Sequence, residues 1–394
     1  MKKSLSNYNT NLRWNRVLPL LFLFYLIISG HHYAYGISGV CANCHTMHNS
    51  QNGESVTGGE PNEYLLVFGC VGCHSSDIGK TNSFGAPVVM HTTAPTGQGK
   101  SKTNAAGDFY WVNINPSGNA AKGHNVIDLP GVTSEDGNIG LTPPGWDPDA
   151  TLGFVYGRVA NGENQWTSQL TCAGQYGCHG DHSQQGSDAG IKGAHHANED
   201  GSATRANQAN TLGSSYRFLG NIKGLEDPDW NWDETVSQHN EYFGSNNAAS
   251  HREADDITGY TVDDTISFLC AECHGIFHSE IDADNSSGTP WVRHPTDIVM
   301  PSGKEYDDYN SDNNDGSPGE YSLEAPVARG AITNSSSSNV NIGNTGVFGS
   351  ILMCLSCHRA HGSTEDDLLR WTYTDMVTGS GVTNGCFTCH TEKN

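Results

Sequence analysis

A chain of 394 residues that is only 35% hydrophobic and carries 47 glycines cannot fill its interior with aliphatic side chains alone, so another apolar body must supply part of the core. A formal net charge of −23 excludes a general nucleic-acid or anionic-surface partner and favours solubility. The 12 cysteines and 19 histidines are the letters left to explain.

In chain order, Lys2, Lys3, Arg13 and Arg16 precede an apolar run of 12 residues from Val17 to Ile28, followed by small and polar residues. This is the layout of a secretory signal peptide, and the run falls short of the roughly 20 residues that span a bilayer. Cleavage is expected after Ala34-Tyr35-Gly36, which makes residues 1–36 the leader and 37–394 one mature domain with no permanent membrane span. Removing the leader deletes four basic and no acidic residues. Ser38-Gly39-Val40 lacks the small residue that normally precedes a lipidated cysteine, so Cys41 is not read as an anchor.

Five Cys-x-x-Cys-His strings follow: Cys41 and Cys44 with His45, Cys70 and Cys73 with His74, Cys270 and Cys273 with His274, Cys354 and Cys357 with His358, Cys386 and Cys389 with His390. This is the spacing of c-type haem attachment: two thiols add to the vinyl groups of one porphyrin, and the adjacent histidine turns its imidazole onto the iron. Cys172 and Cys178 also end in a histidine, His179, but five residues separate them. They read as a sixth haem site with a longer loop; a disulfide is the alternative in a secreted chain. Zinc is the alternative for all six strings, and six trailing histidines argue against it. The expected cofactor is therefore haem c, six per chain.

Six irons need sixth ligands. With His31 and His32 lost in the leader, the remaining histidines are His48, His91, His124, His182, His195, His196, His239, His251, His278, His294 and His361. His48, His182, His278 and His361 lie three or four residues past a trailing histidine, on the same turn but pointing away, which suits a neighbouring haem. Met47, Met90, Met300, Met353 and Met376 are too few to serve all six, so bis-histidine ligation, with its lower potentials, is the default.

Between the strings the text is glycine-rich and polar. Short helices are predicted around the strings and from Asp366 to Val377, and a brief strand over Asp108 to Ile114, which holds Phe109, Tyr110, Trp111 and Val112. Glu305 to Glu320 and Ser335 to Ser338 read as exposed loops. Asp312 to Asp315 lack the glycine of a calcium loop and read as a solvated acidic stretch. The fold class expected is a multihaem cytochrome c: mostly irregular coil with short α and 3-10 helices and few strands, built around stacked haems.

The order of the intervening pieces carries a resemblance. Cys44-His-Thr-Met-His-Asn-Ser50, Gly107-Asp-Phe-Tyr-Trp-Val112, Lys122-Gly-His-Asn-Val126, Ser215-Tyr-Arg-Phe-Leu219, Cys270-Ala-Glu-Cys-His274 with His278, Arg293-His-Pro295 and Cys354-Leu-Ser-Cys-His-Arg-Ala-His-Gly362 resemble the OmcS-like hexahaem c-type cytochromes, the extracellular filament formers of metal-reducing bacteria. The resemblance implies a bis-histidine chain of stacked haems with no substrate pocket. It also implies that the distal set is drawn from His48, His91, His124, His182, His278, His294 and His361, one more than six irons require. It further implies that His48 ligates a haem of the adjacent subunit in a homopolymer. The chain departs from the pattern at Cys172 to Cys178 and between His195 and Tyr242.

Three functions remain open at this point. One is a secreted filament subunit that carries electrons from partner cytochromes to external acceptors such as ferric minerals. Another is a monomeric periplasmic shuttle or the haem component of an outer-membrane porin complex. The third, a multihaem reductase, needs an open iron, often marked by a lysine-ended string, and none is present.

Overall fold

In the computed structural model, the described residues run from 40 to 393, apart from 57, 59, 62–63, 68, 78, 96–103, 117, 149–155, 192–210, 228–234, 246–263, 279–293, 295 and 312–316. The leader, the Asp312 to Asp315 stretch, His195, His196 and His251 lie outside them.

Irregular backbone dominates. Among the described residues the longest helix is Ile266–Ala271, started by Thr265, whose Oγ1 accepts from Phe268 N at 3.1 Å. Strands occur only as short pairs: antiparallel Ser50–Gln51 with Glu54–Ser55, Gly224–Leu225 with Glu241–Tyr242, and Ile298–Val299 with Ile351–Leu352; parallel Ser75–Ser76 with Met90–His91, and Thr171–Ala173 with Gly177–His179. No helix among the described residues is long and apolar enough to cross a membrane.

The apolar core is divided, and each part abuts an attachment cysteine. Val71, Met90, Phe109, Val112 and Leu129 pack with Cys172; Trp146, Val159 and Trp166 with Cys273; Tyr216, Ile222, Tyr242, Ile266 and Ile351 with Cys178; Met300, Tyr309, Tyr321 and Val327 with Cys389. Fully burying a side chain of this size stabilises the fold by about 1.5–3 kcal/mol. Small cores spread along the strings thus stand in for one large core.

Main-chain stitches join distant segments. Asp108 N donates to Gly362 O at 3.0 Å, His361 N to Ala106 O at 2.8 Å and Ser363 N to Lys122 O at 2.8 Å. Glycine makes this approach possible: a Cβ on Gly107 would lie 2.0 Å from Gly362 O. The stitching places the residues after the fifth string against those that follow the second.

Two local expectations are corrected and one is made specific. Asp108 to Ile114 is not a strand: the Asp108 carboxylate accepts from Tyr110 N at 2.8 Å and turns the chain into the helix Tyr110–Asn113. The short helices expected from Asp366 to Val377 are two 3-10 turns, Asp366–Leu368 and Tyr373–Asp375. Asp367 and Leu368 adopt left-handed φ of 58°, which breaks the helix and turns the Asp367 carbonyl toward His358. Glu305 to Glu320 is only partly an exposed loop: Lys304–Tyr306 is a 3-10 turn, and Tyr309 is fully buried, its hydroxyl donating to Ala325 O at 2.9 Å. The apolar cluster at Tyr309 outweighs the polar composition of the segment.

Candidate haem sites

Five strings close the same way. A short helical turn starts at or just before the first cysteine, except at Ile266–Ala271, which begins a turn earlier. The trailing histidine N–H then bonds back to the first cysteine's carbonyl: His45 to Cys41 at 2.8 Å, His74 to Cys70 at 2.9 Å, His274 to Cys270 at 2.9 Å, His358 to Cys354 and His390 to Cys386 at 3.0 Å. One helical turn sets both sulfurs and the imidazole on the same side.

The longer string solves the problem differently. Thr171–Ala173 and Gly177–His179 form a parallel pair with Thr171 opposite Gly177 and Ala173 opposite His179, so Cys172 stands opposite Cys178 in the register. The loop between them needs glycine: Gly174 has φ 84°, and a Cβ on Gly177 would lie 2.5 Å from Ala173 Cα. Asp128 Oδ2 accepts from Cys172 N at 2.7 Å and from Ser187 Oγ at 2.8 Å. All 12 cysteines are free thiols; in a haem-loaded chain these sulfur atoms would be the thioethers.

Each trailing histidine has its Nδ1 engaged. The acceptors are Leu65 O for His45 at 3.2 Å, Pro87 O for His74 at 2.9 Å, Arg217 O for His179 at 3.0 Å, Pro144 O for His274 at 2.7 Å, Asp367 O for His358 at 2.6 Å, and Glu305 Oε1 for His390 at 3.2 Å. Donation from Nδ1–H fixes the tautomer and leaves the Nε2 lone pair for a metal. Arg217 and Asp367 hold left-handed φ of 50° and 58° to present those carbonyls.

Second histidines face three of these rings. His361 lies 6.4 Å from His179 between ring centroids, His124 lies 6.3 Å from His274, and His294 lies 6.3 Å from His390. Each pair would be available to hold the iron of one haem, the trailing histidine and its neighbour together supplying two nitrogen ligands. His124 also donates Nδ1–H to Ala360 O at 2.6 Å, whereas the buried Nδ1 of His361 makes no hydrogen bond.

The other sequence candidates are placed as follows. Buried His91 donates Nδ1–H to Asp108 Oδ2 at 2.5 Å and has Gly79 O 2.9 Å from its Nε2. His182 is buried with Nδ1 3.5 Å from Glu272 Oε2. His48 is exposed in a left-handed turn of φ 56°. His278 ends the 3-10 turn Gly275–His278. His239, outside the distal set, stacks on Tyr321 at 3.8 Å and 6° and is a core residue.

Burial keeps the rings of the His179–His361 and His124–His274 pairs neutral, as ligation requires. It lowers His179 and His274 to about 4 and His361 to about 3, and it lowers His74, His124 and His182 as well.

The sulfurs report which strings adjoin. Burial, then Cys44, pushes Cys73 up to about 11; a hydrogen bond with Cys70, then burial, raises Cys172; burial, then Cys178, raises Cys273. A hydrogen bond with Cys354, then burial, raises Cys270, and burial, then Cys386, pushes Cys357 up to about 12. Cysteines of successive strings thus influence one another in chain order, by hydrogen bonds between the first and second, second and third, and fourth and fifth strings, and through space at the other two junctions.

Sequence reasoning missed the acceptors. Five are main-chain carbonyls, which no letter marks, and Glu305 was read into an exposed loop. Asp108 carried no signal beyond its place before an aromatic run.

A coil-rich fold threaded with Cys-Cys-His turns, each holding a tautomer-fixed imidazole, defines a multihaem c-type cytochrome. Residues 349–394, which hold the last two strings, match the family model described as a doubled CXXCH motif. The chain is 26% identical over 392 residues to C-type cytochrome OmcS of Geobacter sulfurreducens, an alignment covering 89% of this chain and 84% of that protein. Among solved structures it is similar to the Outer Membrane Cytochrome S filament of that organism, with 21% identity, TM-score 0.45 and coverage of 86% and 84%. A second match is the cryo-EM structure of OmcS nanowires, with 20% identity, TM-score 0.41 and coverage of 85% and 84%. Over most of its length the chain is thus similar to that cytochrome.

Proposed function

We propose that the chain carries six haem c groups and serves as the subunit of a secreted, polymeric cytochrome filament that delivers electrons to external acceptors such as ferric minerals. The observation that carries this reading is the adjacency of attachment cysteines from string to string in unbroken chain order, hydrogen-bonded at three junctions and electrostatically coupled at the other two. Groups held at such neighbouring anchors form a continuous path rather than isolated centres. Haem c, when bound, supplies a reversible one-electron couple.

The protein's part is to hold and tune. Cys41, Cys44, Cys70, Cys73, Cys172, Cys178, Cys270, Cys273, Cys354, Cys357, Cys386 and Cys389 anchor the groups, and His45, His74, His179, His274, His358 and His390 are the proximal ligands. His361, His124 and His294 serve as distal ligands to the third, fourth and sixth sites, a reading supported by the ring spacings. His91, His182 and His278 are the in-chain candidates for two of the first, second and fifth sites, so that one of the three is surplus. His48, exposed beside the first string, is assigned to a haem of the adjacent subunit. With every iron ligated on both faces there is no place for a substrate, so the protein is an electron carrier and not an enzyme.

The test is negative-stain microscopy of mature holoprotein from the extracellular fraction beside a His48→Ala variant, with haem content from the pyridine haemochrome. Filaments from the parent and none from the variant support the reading. Monodisperse six-haem particles would point instead to a periplasmic shuttle or the haem component of an outer-membrane porin complex.

A further inference from the structure

Five trailing histidines give their Nδ1 proton to a main-chain carbonyl, and the sixth gives it to a carboxylate. Glu305 Oε1 accepts from His390 Nδ1 at 3.2 Å. Glu305 is 9% exposed and is pinned beside the last string by its own carbonyl, which accepts from Thr391 Oγ1 at 2.5 Å. Its other oxygen, Oε2, is buried without a hydrogen bond, and Lys393 Nζ stands 3.7 Å away on a side chain 57% exposed. The oxygen facing the imidazole is therefore the one that is well placed, while the lysine is a loose, solvent-screened neighbour.

The chemistry of this difference is specific. A carboxylate draws on the Nδ1 proton harder than a carbonyl does, which makes the imidazole a more basic, more electron-donating ligand. More donation favours ferric over ferrous iron, and so lowers the reduction potential.

We propose that Glu305 is a positioning residue that acts through His390 to lower the reduction potential of the haem held by Cys386 and Cys389. The inference rests on the reading of this string as a haem site. The step concerned is a one-electron exchange between ferric and ferrous iron with a neighbouring haem; no bond forms or breaks, and the proton stays between His390 and Glu305. Lys393 opposes the effect by drawing charge from the same carboxylate.

The test is spectroelectrochemical titration of the holoprotein with Glu305→Gln, Lys393→Met and the double variant, alongside low-spin ferric EPR. In Glu305→Gln one of six components should rise, by about tenfold in its equilibrium constant or about 59 mV for one electron, and one EPR signal should shift. Lys393→Met, a surface change that leaves folding intact, should lower the same component, and this effect should shrink when Glu305 is already Gln. An unmoved component, a drift of all six together, or a full Lys393→Met effect in the double variant overturns the assignment. Haem content is read on the same samples: a parent without haem at Cys386 and Cys389 brings down the hexahaem reading and this one together. Failure of the Glu305 assignment alone shows only in the difference between parent and variant.

Discussion

The ring of His361 lies 6.4 Å from that of His179, which brings a residue that trails the fifth string to the trailing histidine of the third. The link depends on the main-chain stitch of His361 N to Ala106 O. It predicts that His361→Ala keeps all six haems, because no sulfur is lost, but converts one of them from low to high spin. Near-infrared magnetic circular dichroism would count the change; six low-spin haems in the variant would remove His361 from the ligand set.

His239 supplies the contrast. It stacks on Tyr321 inside an apolar cluster, so His239→Phe should leave the spin state of every haem untouched, while His239→Ala lowers stability by about 2–4 kcal/mol as a cavity opens. Denaturant midpoints read beside the optical spectrum separate the two effects.

At the third string the geometry hangs on a glycine. A side-chain carbon at Gly177 would sit 2.5 Å from Ala173 Cα, and forcing it in should push Cys172 and Cys178 out of register. Gly177→Ala is expected to yield five haems per chain by pyridine haemochrome, against six for Gly137→Ala, where the added carbon meets nothing within 4 Å and the backbone is not left-handed.

Acid should act late on the ligands and earlier on the fold. His179 and His274 sit at about 4 and His361 at about 3, all below the ordinary 6.5. The unfolded chain therefore binds more protons than the folded one once pH drops below about 6.5, and stability declines from there until the folded values are passed near 3 to 4. Thermal midpoints should be flat above pH 7 and fall between pH 6 and 4, while the low-spin spectrum persists to about pH 4. Loss of low-spin character already at pH 6 would contradict the neutral, buried rings.

The candidate anchors stand out in the letters because covalent attachment demands fixed partners at a fixed spacing, and Cys172 and Cys178 join them only through their trailing His179. The coil-rich fold was legible too, from glycine and the want of periodicity. The course of the chain between strings was not. Asp108 to Ile114 has strand-forming residues, yet one carboxylate hydrogen bond to Tyr110 N turns it helical. Nor does composition reveal that Asp367 leaves a helix to offer its carbonyl to His358. Which distal histidine serves which iron depends on contacts between strings far apart in sequence, and no local pattern encodes those.

The carbonyls that orient five of the six trailing imidazoles belong to Leu65, Pro87, Arg217, Pro144 and Asp367, five chemically unlike residues. None contributes its side chain to that bond. What holds the imidazoles in place is the route of the backbone, so these positions can drift to other residues while the electronic environment of each ligand stays the same. Among the trailing histidines, His390 alone turns to a side chain, that of Glu305, where a single letter change is expected to retune the site.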